Sequence, residues 1–164
     1  MVLSETTKSR VVLAVLSFFA AVFVGASLVL HGTYNYMKAY TPSDTTTGEY
    51  AHAVDALDDS PGRATIDIRG WAYNKAQAAF APFDCRIVLL HTQTGHYYEV
   101  ATQMQVREDV AQYTGQDFHR YAGATASIPK ANLPDPAGTY EVCFDLSGRL
   151  VPTGHTFTPM GGWK

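Results

Sequence analysis

The most constraining feature of this chain is an uninterrupted apolar run from Val11 to Leu30, VVLAVLSFFAAVFVGASLVL. Seventeen of its twenty residues are Ala, Val, Leu or Phe, and the other three, Ser17, Gly25 and Ser27, are small and uncharged. Twenty helical residues at a rise of about 1.5 Å span about 30 Å, the thickness of a bilayer's hydrocarbon core. Lipid obliges the backbone to satisfy its own hydrogen bonds, so the valines are no obstacle to a helix here. A helix buried in a soluble domain would keep a polar face, which this run lacks. A cleaved signal peptide is the stronger rival, because Lys8 and Arg10 precede the run. Signal-peptide apolar regions, however, have about 7–15 residues and end at a small-x-small site. The best such site, Val24-Gly25-Ala26, lies inside the run with Leu28, Val29 and Leu30 still to come. The reading is an uncleaved signal anchor over residues 11–30, with a helix able to continue to about residue 40.

The flanks predict its orientation. Lys8 and Arg10 stand before the run and only Lys38 close behind it, so residues 1–10 are expected in the cytoplasm. Tyr34, Tyr36 and Tyr40 then suit the outer interfacial belt. Everything after the run is expected outside the cell membrane, in a single-pass arrangement. That outer part carries 10 Lys and Arg against 14 Asp and Glu. Such a balance argues against nucleic acid, whose binders show a basic patch.

Residues 41–50 are polar and rich in Thr, and read as a linker. From about residue 51 to 160 the pattern becomes short runs of period two. Strands are expected at His52–Leu57, at Ala64–Ile68 with a bulge at Gly70, and at Asp84–His91. A turn at Thr92–Gly95 leads into His96–Thr102, which makes a hairpin. Further strands follow at Ala124–Ile128, at Tyr140–Leu146 and at Arg149–Thr158, the last an edge strand because Pro152 lacks an amide donor. About seven short strands with regular turns predict an Ig-like β-sandwich behind one N-terminal transmembrane helix. One segment breaks the pattern: Asp109 is placed to cap a short helix, with Gln112 at capping-box spacing and Gly115 closing it.

The order Gly70-Trp71-Ala72, the Ile87–Tyr98 hairpin, Arg107-x-Asp109-Val110, Ala122-Gly123 before Ala126-Ser127-Ile128-Pro129, and Gly138-x-Tyr140-x-Val142 resembles a known domain type. This is the small extracytoplasmic β-sandwich domain of Gram-positive membrane proteins associated with cell-surface polysaccharide assembly. The resemblance covers roughly residues 52–158. Related domains carry Gly-Phe where this chain has Gly123-Ala124, so a smaller side chain occupies a core position. The resemblance implies fold and place, and supplies no catalytic residue.

Several residues stand as binding candidates. Trp71, Tyr73, Phe80 and Phe83 surround an Ala-rich loop, and aromatic faces suit both sugar rings and protein interfaces; the competing role for Trp71 is ordinary core. Tyr97 and Tyr98 are adjacent on a strand, so one is expected to point outward. Arg107 can bind a ligand carboxylate or hold its own loop with Asp109. The histidines at 31, 52, 91, 96, 119 and 155 have no metal-ligand spacing, and no metal or cofactor is expected. Asp55, Asp58 and Asp59 read as a solvated turn. No nucleophile-elbow, P-loop or dinucleotide glycine pattern occurs, so no catalytic residue is assigned. Cys85 and Cys143 lie on expected strands outside the membrane, where a disulfide is chemically allowed. Cys143 should point away from the core. If the two strands are neighbours in one sheet the cysteines can pair, and otherwise both stay free. Ser17, Gly25 and Ser27 would let another transmembrane helix approach closely. The leading expectation is a non-enzymatic protein anchored in the bilayer, whose outer sandwich binds either another membrane or cell-surface protein or a cell-surface glycan. The alternatives are a dedicated carbohydrate-binding module of the cell wall and a small surface hydrolase or transferase.

Overall fold

The computed structural model describes residues 5–34, 37–45, 49–76 and 84–159. It divides into two units, Met1–Tyr34 and Asn35–Lys164. The first is a single helix, α1 (Glu5–Tyr34). Within it, Val12–Leu30 is long and apolar enough to cross a membrane, and none of that stretch is buried by protein. The helix ends at Tyr34 instead of running on to about residue 40, because Met37–Tyr40 find strand partners.

The second unit is mainly β. Its strands are β1 (Met37–Tyr40), β2 (Asp44–Thr45), β3 (Tyr50–Asp58), β4 (Thr65–Asn74), β5 (Cys85–His91), β6 (His96–Val100), β7 (Gln103–Gln105), β8 (Gly123–Pro129), β9 (Tyr140–Leu146) and β10 (Arg149–Phe157). A six-stranded sheet runs β1-β6-β5-β9-β10-β2 and a four-stranded sheet runs β3-β4-β8-β7. All pairings are antiparallel except the two-residue β2–β10 contact. Among the described residues ten strands replace the seven expected. Two of the additions, β1 and β2, come from the stretch read as helix end and linker; β1 alternates over only four residues, and β2 is the polar pair Asp44-Thr45.

The strands bury the faces that their period-two patterns announced. Ile66, Ile68 and Ala72 of β4, Ala124, Ala126 and Ile128 of β8, Ile87 and Leu89 of β5, and Tyr140, Val142 and Phe144 of β9 enter one core cluster fed by both sheets. Gly70 is buried in the middle of β4 for a reason other than a bulge of its own. A Cβ there would lie 2.4 Å from the Ala53 carbonyl oxygen and 2.7 Å from Cζ of Phe144. The register shift falls on the partner strand, between Val54 and Ala56. β10 is likewise not the outermost strand, although β2 covers only Arg149 and Leu150 of it.

The three aspartates expected in a solvated turn are each spent on a cation. Asp55 pairs with Arg107 and Asp58 with Arg63. Asp59 lies 2.7 Å from the buried ammonium of Lys130.

Candidate functional site

Residues of opposite parity to the core face outward from each sheet, and both outward faces are covered. On β4 these residues include Trp71 and Tyr73, opposite Ala53 and Ala51 of β3. Tyr73 is buried with Val110 and Ala122, and Trp71 packs on that cluster half-exposed. Trp71 therefore lies outside the main core. It stacks on Tyr73 at 5.7 Å between centroids with 14° between planes, and Tyr73 stacks on His119 at 4.1 Å and 26°. His119 receives its position from Thr114, whose hydroxyl lies 2.9 Å from Nδ1. Burial pushes the His119 imidazole below its ordinary pKa, which favours the neutral ring in the stack.

The cover over this face is α2 (Glu108–Thr114) and the short helical turn Asp117–Tyr121. Asp109 was expected to cap α2. Instead Arg107 occupies the cap position without a capping hydrogen bond, Asp109 sits in the first turn, and Gln112 is exposed on the helix. Gly115 closes the helix with φ of 67°, as its position suggested. The Arg107 guanidinium grips Asp109 through two donors, 2.9 and 2.6 Å, and its remaining arm reaches Asp55 on β3. Asp109 is held down to about 2, first by the Arg107 hydrogen bonds. Gly123 makes room for the arginine stem: a Cβ there would lie 2.6 Å from its Cγ and 2.3 Å from the Gln105 carbonyl oxygen. The short motifs scattered through the sequence (Trp71, Arg107, Asp109, Val110, Ala122, Gly123) thus meet at one place. Arg107 is committed there to structure, with each arm of its fork on a carboxylate. Nearby, Tyr113 on α2 is 83% exposed and Tyr121 is 43% exposed.

The outward face of the six-stranded sheet buries Val88, Cys143 and Leu150, with Tyr40, Leu90 and Tyr97 packed on them. Cys143 does point away from the main core, yet it is fully buried. Cys85 lies opposite Leu146 and Cys143 opposite Val88, three positions apart on neighbouring strands. An odd offset puts the two side chains on opposite faces of the sheet, and both are free thiols. Burial pushes both up to about 12, which makes them poor nucleophiles.

Residues 41–43 carry the chain from edge strand β1 to edge strand β2, and Ser43 donates its amide to the Gly148 carbonyl at 3.2 Å. Tyr40, at the start of this strap, hydrogen-bonds Asp145 and is itself pushed up to about 12, chiefly by burial. Asp145 is buried, its Oδ1 has no hydrogen-bond partner, and burial raises its pKa. Where the strap leaves β1, a cleft of about 430 Å³ opens, lined by Ala39, Tyr40, Thr41, Pro42, Gly95, His96, Tyr97 and Tyr98. Neither Tyr97 nor Tyr98 is fully exposed: Tyr97 packs on the outward cluster and Tyr98 on the main core. Reading the sequence alone missed Tyr40, Pro42 and His96. Their only signal is the alternation of Met37 and Ala39 with Lys38 and Tyr40, four residues that also suit an interfacial belt.

A second cleft, of about 440 Å³, holds Asp84, Cys85, Arg86, Glu99, Thr102 and Met104. Arg86 there resembles Arg107, bonded to Asp84 at 2.6 and 3.1 Å and to Glu99 at 3.0 Å. Phe80 and Phe83, with the loop between Ala76 and Ala81, lie outside the described residues apart from Ala76, as does Tyr36. Ser17, Gly25 and Ser27 fall on the exposed surface of α1. Among the described residues, no group of three or more His, Cys, Asp or Glu side chains could hold a metal ion. The chain matches no protein-family model, and no curated protein or solved structure is detectably similar to it.

Proposed function

We propose that this chain is a single-pass, membrane-anchored binding protein without enzymatic activity, its N-terminus cytoplasmic and its β unit outside the cell. The observation that carries the reading is the join: a membrane-length apolar helix ends at Tyr34, and sheet structure begins at Met37. The β unit is in this reading an Ig-like sandwich. The order β3-β4-β8-β7 matches strands A-B-E-D of that architecture, and β6-β5-β9-β10 matches C′-C-F-G. Tyr140 supports it further. At the start of β9 its hydroxyl donates to the Asp135 carbonyl at 2.9 Å and accepts the Asp135 amide at 3.0 Å, the arrangement of a tyrosine corner.

The partner surface in this reading is the face of α2, where exposed Tyr113 and Tyr121 stand near half-exposed Trp71. Aromatic residues of this kind anchor protein interfaces. The partner is another membrane or cell-surface protein, in keeping with a place in cell-surface polysaccharide assembly. The test has two arms. The chain should stay with membranes after carbonate extraction, and protease added to intact cells should cleave its β unit. In mild detergent it should co-purify with a partner whose recovery falls with Tyr113→Ala. Release by carbonate refutes the anchor, and a chain that runs alone in both forms refutes the subunit role.

A further inference from the structure

We infer that the cleft beneath the strap is a binding site for an uncharged sugar ring of a surface glycan. The inference rests on the reading of the β unit as an external binding module, and gives it a ligand class. Tyr40 of β1 and Tyr97 of β6 are register partners on the outward sheet face and both line this cleft, while Tyr98, next along β6, lines it with its ring turned to the main core. Each is immobilised by something other than the cleft. Tyr40 is tied through its hydroxyl to Asp145, Tyr97 is packed against Val88, Cys143 and Leu150, and Tyr98 against the main core. A ligand therefore meets rings that are already ordered, and binding loses little side-chain entropy.

The chemistry of the lining selects the class. Its volume falls in the range of small-ligand sites, roughly 300–1,000 Å³. Among the described residues no lysine, arginine or carboxylate lines it, so the lining offers no counter-charge to a phosphate or a cation. Aromatic rings offer flat apolar surface to the axial C–H face of a pyranose. Exposed Thr41 and His96 also line the cleft, where they can pair with sugar hydroxyls. An extended proline-rich peptide, the other common guest of aromatic clefts, advances about 3.1 Å per residue and needs an open-ended groove. At about 430 Å³, between Thr41 and Pro42 on one side and Gly95 on the other, the cleft suits a compact ring.

The test uses the full chain in phosphocholine nanodiscs, since sugar-headed detergents would compete. Saturation-transfer NMR is recorded with trisaccharides of glucose, galactose, mannose, rhamnose and N-acetylglucosamine. At least one should show transfer to its ring C–H protons. Tyr97→Ala should weaken that binding by at least about fivefold, the loss of one aromatic face. Because Tyr97 also packs on a buried cluster, His96→Ala supplies a second variant at an exposed position, expected to weaken binding about twofold to fivefold through one lost hydrogen bond. Absence of transfer from every sugar overturns the site, as does binding that both variants leave intact. Binding abolished by Trp71→Ala instead overturns this location while sparing the module. Capture of a protein partner without any sugar signal also rejects the sugar site and keeps the parent reading.

Discussion

The two outward sheet faces solve the same problem by different means. The four-stranded sheet is covered by a helix held down electrostatically, with Arg107 bridging Asp109 and Asp55 over Tyr73 and Val110. On the six-stranded sheet Tyr40, at the start of the strap, packs with Leu90 and Tyr97 over Val88, Cys143 and Leu150 and hydrogen-bonds a buried acid, while Ser43 pins the strap to Gly148. An ionic clamp needs little buried area but depends on charge; an apolar cover is indifferent to salt but needs close packing. The two covers should therefore fail under different conditions.

The largest effect should come from opening the strap-covered cluster. Leu150 is 1% exposed, and Leu150→Ala should cost about 2–5 kcal/mol, measured by thermal or urea unfolding. A loss under about 1 kcal/mol would mean that the strap closes onto the cavity, and that this face is softer than its packing implies. Next, Arg107→Ala leaves Asp55 and Asp109 unpaired beside each other and should cost about 1–3 kcal/mol. Hydrogen exchange should locate that loss in α2 and leave β5 and β9 protected; uniform loss of protection would erase the distinction between the covers.

Acid should drive the two faces in opposite directions. Asp109 is held near 2 in the folded chain, below the unfolded value of about 3.9. Its contribution is present above about pH 4 and is lost as pH falls towards 2. Asp145 is raised, so the protonated form fits the fold better, and its effect has the opposite sign. Its favourable contribution is full below about pH 3.9 and is lost as pH rises through the folded value. Asp145→Asn should accordingly match or exceed the parent stability at neutral pH while keeping a partner for Tyr40. A variant that is markedly weaker at pH 7 would show that the charged carboxylate is needed. The smallest effect concerns the thiols. Reduction should leave Tm unchanged, and both cysteines should alkylate slowly when folded and fully once unfolded; a single disulfide-linked species on non-reducing electrophoresis would contradict the face assignment.

Much of this was legible from the order of residues. Period-two alternation in Tyr140–Leu146 names its own core face, because each inward side chain is apolar and the pleat has no other way to bury it. The same rule pointed Cys143 outward correctly, yet could not say that a second cluster awaits it there, since that depends on Tyr40 from a segment 103 positions away along the chain. The helix at Glu108–Thr114 was visible from Gly115, whose left-handed φ ends it. Its start was misplaced because Asp109 has a stronger partner in Arg107 than in any backbone amide.

The candidate clefts were less legible still. Tyr97 and Tyr98 drew notice as aromatics, but their pocket is made by residues 39–42, polar and apolar in no periodic order. Sequence by itself determined the membrane-length helix, the β character of the residues that follow it and most of the inward-facing side chains, because composition and periodicity are local quantities. Only the tertiary structure decided that Asp44, Thr45 and Tyr50 of the expected linker join sheets, that the two cysteines lie on opposite faces, and that Arg107 bridges a helix to a strand. Those outcomes turn on register and on contacts between distant segments, and neither is encoded in any short window of residues.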